Sequence, residues 1–119
     1  MDKVLLAVAS TLEAVTGLAL LIAPTTIKLL GTDVSGPALA ITRVAGFGLL
    51  LFGIACWPRV EATMPRLLAM LIYNVLTIVC LGYLRLSSES VGVLLLPAIA
   101  VHAVLAILFV GAWLKHRTT

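Results

Sequence analysis

Four long apolar stretches divide the chain, and short polar segments separate them. They run Val4–Ala23, Ala38–Trp57, Leu67–Leu84 and Val91–Leu114. Crossing a hydrocarbon core of about 30 Å takes roughly 20 apolar residues in an α-helix, so the pattern predicts four transmembrane helices. Lys3 precedes the first stretch as a basic residue precedes a secretory leader. That stretch is too long for a leader, however, Glu13 interrupts it, and Ala23-Pro24 offers no small-residue cleavage site. It reads as a retained span.

The connections carry the punctuation of helix ends. Pro24 followed by Ile27, Leu29, Leu30 and Gly31 predicts a short interfacial helical turn with a glycine stop. Pro37 then opens the second helix with Ser35 as its cap. The segment from Pro58 to Pro65 sets Arg59, Glu61 and Arg66 beside Trp57, the mixture of charge and aromatic ring found at a bilayer surface. The last connection, Arg85 to Ser90, is short and polar. Such short links make consecutive helices antiparallel neighbours, which predicts an all-α integral membrane fold, an up-down-up-down four-helix bundle forming one domain over residues 1–119. Pro97 falls about two turns into the fourth stretch. There it would free the carbonyl of Val93 and kink the helix.

Composition agrees with the pattern: 62% of the 119 residues are apolar, 11% are charged and the mean hydropathy is +1.22. A soluble domain carries roughly a quarter of its residues as Asp, Glu, Lys or Arg. The solvent for this chain is therefore lipid. The net charge of +3 comes from eight basic residues scattered singly, and without a basic run there is no support for nucleic-acid binding. Their placement is the informative part. Lys3, Arg59, Arg66, Lys115 and Arg117 fall on one side, against Lys28 and Arg85 on the other. Loops rich in Lys and Arg stay cytoplasmic, so both termini are expected in the cytoplasm, with the protein in the plasma (inner) membrane.

Cys56 falls at the cytoplasmic end of the second span and Cys80 near the outer end of the third, beyond the reach of about 7 Å between α-carbons that a disulfide allows. Both are expected as free thiols that pack like small apolar residues. Two cysteines without clustered histidines make no zinc or iron–sulfur signature, and a single intramembrane histidine cannot supply both axial ligands of a bis-histidine haem. The sequence also shows no nucleophile with a base and an orienting partner, and no phosphate loop. It names no catalytic residue and no metal ligand.

The candidate chemistry lies in four polar residues within the spans: Glu13, Arg43, Asn74 and His102. A charge at the centre of a membrane helix costs about 2.5–3.5 kcal/mol on insertion scales, so each must be shielded, neutralised or paired. Glu13 shares a small, polar face with Ser10, Thr16 and Gly17, which is expected to turn inward. Counting from the span ends puts Glu13, Asn74 and His102 near the midplane, where they are expected to converge. Arg43 lies nearer the outer end of its span, above them, either reaching down to Glu13 or snorkelling to the headgroups. Three readings are open for this cluster: a structural network that pins helix register, a proton-carrying site, or contact with a small molecule such as quinone or lipid. The second span also repeats small residues at Ala38, Thr42 and Gly46, with Gly48 and Gly53 beyond, which allows close approach of another helix within the chain or in a second copy.

The stretch Arg43-Val44-Ala45-Gly46 with Leu49-Leu50-Leu51 and Gly53, after a first helix containing Glu13-Ala14-Val15-Thr16-Gly17, resembles the DoxX-like group of small bacterial four-helix membrane proteins. The likeness covers mainly the first two spans. It implies a four-helix membrane fold and a link to membrane redox complexes, some of whose subunits pass electrons to quinone. The chain is also similar to the small multidrug resistance transporters in length, span number and a glutamate midway along the first helix. Glu13 is the only position that carries over. The combined expectation is an accessory or quinone-associated component without catalytic chemistry of its own. Its partners would be the bilayer and other membrane subunits or further copies of the chain. The alternative is a proton-coupled small-molecule transporter centred on Glu13.

Overall fold

A computed structural model of the chain describes residues 1–31, 35–59, 63–87 and 92–118. Four long helices dominate it: α1 (Asp2–Ile22), α2 (Gly36–Ala55), α3 (Thr63–Ser87) and α4 (Leu95–Thr118). No strand occurs among the described residues. All four helices are long and apolar enough to cross a membrane. Glu61 of the second connection, Ser88–Ser90 of the third and Val91 at the start of the fourth apolar stretch lie outside the described residues.

Between α1 and α2 comes a short 3-10 helix, Pro24–Leu30, that ends at Gly31 with φ 87° and ψ 13°. Left-handed backbone of this kind favours glycine, which explains the stop. Ser35 then caps α2 by accepting a hydrogen bond from the Ala38 N–H at 3.3 Å, with Pro37 in the first turn. At the far end of α2, Arg66 of α3 donates from Nε to the Ala55 carbonyl at 3.2 Å and so satisfies one of that helix's final acceptors.

The fourth helix begins later than the apolar pattern predicts. Gly92 presses against the backbone of Leu29, the Leu94 N–H donates to the Leu29 carbonyl at 2.8 Å, and the helix starts only at Leu95. Pro97 therefore occupies the first turn, where a backbone N–H has no helical partner to lose. The expected kink two turns inside a span has no basis in this geometry.

The helices pair unevenly, α1 mainly with α2 and α3 mainly with α4. The first pairing rests on small residues. A Cβ placed on Gly17 would lie 2.5 Å from the Leu50 nitrogen, and one on Gly53 would lie 2.6 Å from the Ser10 oxygen. Gly17 meets Gly46 and Ser10 meets Gly53, so the register rises along α1 as it falls along α2. Gly46 and Gly53 of the second span's small-residue stripe are thus occupied within the chain by α1, whereas a Cβ on Gly48 would meet nothing within 4 Å. Close backbone approach of this kind supplies van der Waals attraction between apolar helices.

A core at one end gathers all four helices: Leu6 and Ala9 of α1, Cys56 at the end of α2, Leu67 and Met70 of α3, and Leu105, Phe109 and Ala112 of α4. At that end His116 and Asp2 meet through Nε2 and Oδ2 at 2.5 Å, joining the last turn of α4 to the first of α1. Arg117 stacks over Trp113 with its guanidinium carbon 4.8 Å from the ring centroid. Cys56 is buried there, Cys80 is exposed on α3, and both are free thiols.

Candidate functional site

Just above the core, α1, α3 and α4 bring three polar side chains of the spans together. Glu13 is 2% exposed and Asn74 is fully buried, while His102 is half-buried. Asn74 donates from Nδ2 to the Met70 carbonyl one turn back on α3, at 2.8 Å. Its Oδ1 lies 2.8 Å from Nδ1 of His102 on α4. The same imidazole nitrogen stands 4.0 Å from Oε1 of Glu13. Glu13, Asn74 and His102 thus meet in the interior of the bundle.

Arg43 does not join them. It is exposed on α2 and takes no part in these contacts, because the face that α2 turns to α1 is the adjacent one, carrying Thr42, Gly46 and Gly53. Reaching down to Glu13 is not the arrangement this structure adopts. Thr16 departs from expectation as well. Ser10, Glu13 and Gly17 are buried, but Thr16 is exposed and returns its hydroxyl to the Leu12 carbonyl at 2.7 Å. Thr42 and Thr77 make the same bond to the residue four positions earlier. A hydroxyl satisfied by its own helix needs no partner elsewhere.

The residue that the sequence reading does not single out is Tyr73. Its hydroxyl donates to Oε2 of Glu13 at 2.8 Å. Its ring lies 4.9 Å from that of Phe52 on α2 and meets His102 edge-on at 5.9 Å. Tyr73 therefore touches α1, α2 and α4 from α3. A signal was present: membrane tyrosines concentrate at the interfaces, and one well inside a 25-residue helix needs a partner for its O–H. The choice of Glu13 as that partner depends on helix packing.

Two buried oxygens in this region have no hydrogen-bond partner, Glu13 Oε1 and Ser10 Oγ. Around them Oε2 of Glu13 is bonded to Tyr73 and the Asn74 amide is bonded at both ends. Chemically it offers a carboxyl group and an imidazole side by side, held by an amide and a phenol. No group of three or more His, Cys, Asp or Glu that could hold a metal occurs among the described residues. The chain matches no family model, no curated protein and no solved structure.

Proposed function

We propose that this chain is an integral membrane protein whose helices cross the plasma membrane up, down, up and down, with both termini cytoplasmic. Support comes from an inversion of the soluble pattern. Ser10, Glu13 and Asn74 are sealed inside, while Phe47, Val79 and Ile107 are 58%, 62% and 72% exposed on the outside. Such a surface is costly in water and at home among acyl chains. The long dimension of 48 Å also suits a bilayer of about 40–45 Å including headgroups. Retention in alkaline-washed membranes, with release by detergent alone, tests the assignment.

Within the membrane we read the protein as an accessory component that contacts a small molecule, quinone or lipid being the candidates, and that carries no catalytic chemistry of its own. The observation behind this reading is the open valence of the buried Glu13 Oε1, beside an unpartnered Ser10 hydroxyl. Buried polar atoms are nearly always hydrogen-bonded, and an exception at a cluster of ionisable groups marks a place where something else can bond. Copurification from native membranes is the test. A stable larger complex supports the accessory role.

A second reading, proton-coupled transport centred on Glu13, draws on the 4.0 Å approach of Oε1 to His102 Nδ1. A carboxyl and an imidazole this close can share the handling of one proton. Recovery of an isolated dimer, together with substrate flux in liposomes that Glu13→Gln abolishes, would favour transport.

A further inference from the structure

The single glycine of α1, Gly17, is turned to α2. Toward α4 the same helix presents Val4, Val8, Leu12 and Val15, side chains whose bulk keeps two backbones apart. A groove therefore runs along the α1–α4 seam. One part, of about 560 Å³, extends from Asp2 and Lys115 to Val8 and Leu105. There it meets a second part of about 630 Å³, which ends among Leu12, Val15 and Val101. Leu105 and Ala112 of the buried core form part of the lining, and the exposed side chains of Val4, Val8 and Ile107 leave the groove open to the outside of the bundle.

The two ends of the groove differ. Around Val15 and Val101 every lining side chain is apolar except Thr11. The opposite end holds Lys115, in a last turn of α4 that also carries His116 and Arg117, with Lys3 in the first turn of α1 nearby in sequence. Asp2, the one acid at this end among the described residues, is joined to His116, so the local balance is positive. An ammonium group has three N–H donors, and Lys115 can serve a further acceptor besides its contacts within the chain. From Val101 to Lys115, α4 advances about 21 Å at 1.5 Å per residue. That is half of a bilayer of about 40–45 Å including headgroups, the depth of one leaflet. A helix of a second copy would need small residues along the seam for close approach, and the walls are mostly Val, Leu and Ile.

We propose that the α1–α4 groove holds one phospholipid of the leaflet beside the chain ends, with an acyl chain along Val8 and Leu105 and a headgroup of net negative charge beside Lys115. The inference rests on the membrane reading above and is independent of the Glu13 oxygen.

Native mass spectrometry tests it, on protein in an uncharged detergent mixed with equal amounts of phosphatidylglycerol and phosphatidylcholine of one acyl length. A phosphatidylglycerol should stay bound to each chain in preference to phosphatidylcholine. Lys115→Gln should lower that preference about fivefold, the effect of one Lys at an anionic leaflet. Gly111 lines the groove and a Cβ there would meet nothing within 4 Å, so Gly111→Leu extends into the slot and should abolish retention. Gly48→Leu, which enters open space on α2 instead, should keep the lipid. Equal retention of both lipids, or an unchanged preference in Lys115→Gln, overturns the anionic ligand and the proposal with it. Equal retention in the two glycine variants does the same, as does a dimer that Gly111→Leu alone dissociates, which would make the groove a seam between copies. If Gly111→Leu fails to fold, Lys115→Gln still decides. The membrane reading falls to a different result, release of the protein by alkaline washing, and stands if only lipid binding is lost.

Discussion

Tyr73 and Glu13, sixty positions apart in sequence, are joined by a 2.8 Å hydrogen bond in which the phenol donates to carboxylate oxygen Oε2. Because the Tyr73 ring also packs against Phe52 and His102, this single bond ties the α1–α2 pair to the α3–α4 pair. Contacts between these two pairs are otherwise sparse. The bond is therefore more consequential than one of the many within a helix.

Removing either partner should show it. Tyr73→Phe leaves Oε2 buried without a donor, and Glu13→Leu strands the Tyr73 hydroxyl. Each should lower stability by about 1–3 kcal/mol, the usual penalty for an orphaned buried polar group. Glu13→Gln, which keeps an acceptor for Tyr73, should stay folded and lose less. Unfolding of the purified protein in mixed micelles measures all three. In the Tyr73→Phe/Glu13→Leu double variant the losses should fall short of additivity, because no partner is then left unpaired.

The glycines of the α1–α2 seam should divide by the space around them. Gly17→Ala and Gly53→Ala each push a methyl group into the opposing backbone and should cost about 1–3 kcal/mol, as overpacking of a tight contact does. Gly48→Ala enters open space on the same helix as Gly53 and should change stability by less than about 0.5 kcal/mol. Thermal unfolding of the three variants side by side is the check. Equal losses would mean that the seam is not packed as described.

Pro97→Ala probes the late start of α4. A proline in the first turn removes no helical hydrogen bond, so the substitution should alter stability by less than about 1 kcal/mol. A proline that interrupted a span would behave differently. Its replacement would restore a backbone bond and stabilise the helix by about 3 kcal/mol.

The thiols should differ in access. In detergent, N-ethylmaleimide should modify Cys80 readily, while Cys56, packed with Leu6, Leu67 and Phe109, should react only after unfolding. Peptide mass spectrometry after timed labelling distinguishes them. Recovery of a linked Cys56–Cys80 peptide without reductant would contradict the arrangement.

Reporter fusions at Met1 and Thr119 test the orientation argued from the distribution of Lys and Arg. Alkaline phosphatase fused after Thr119 should be inactive, because the enzyme matures only outside the cytoplasm. The Asp2–His116 contact places the two ends of the chain together at one end of the bundle, so both fusions should report the same side.

Much of this fold was legible in the sequence because long, nearly uncharged apolar runs leave the backbone few ways to satisfy its own hydrogen bonds. Four runs of roughly 20 apolar residues have few alternatives to helix, and the proline, glycine and serine signals near Pro24, Gly31, Ser35 and Pro37 act through local backbone geometry that needs no tertiary partner. The positions of Glu13, Asn74 and His102 midway along apolar runs marked them as interior, because an apolar surround offers them nothing to bond. Depth along a helix can be counted from sequence, but rotation about its axis cannot when polar and small residues are few. That rotation, set by where Gly17, Gly46 and Gly53 let α1 and α2 touch, turned Arg43 outward although its depth alone allowed a reach to Glu13. The start of α4 was likewise decided from outside the helix, by the Leu29 carbonyl claiming the Leu94 N–H. The sequence by itself determined which residues of the apolar runs need polar partners, because solvation is a property of each side chain. Only the tertiary structure decided which of them meet, as Tyr73 meets Glu13, because a hydrogen bond is set by the relative placement of two helices.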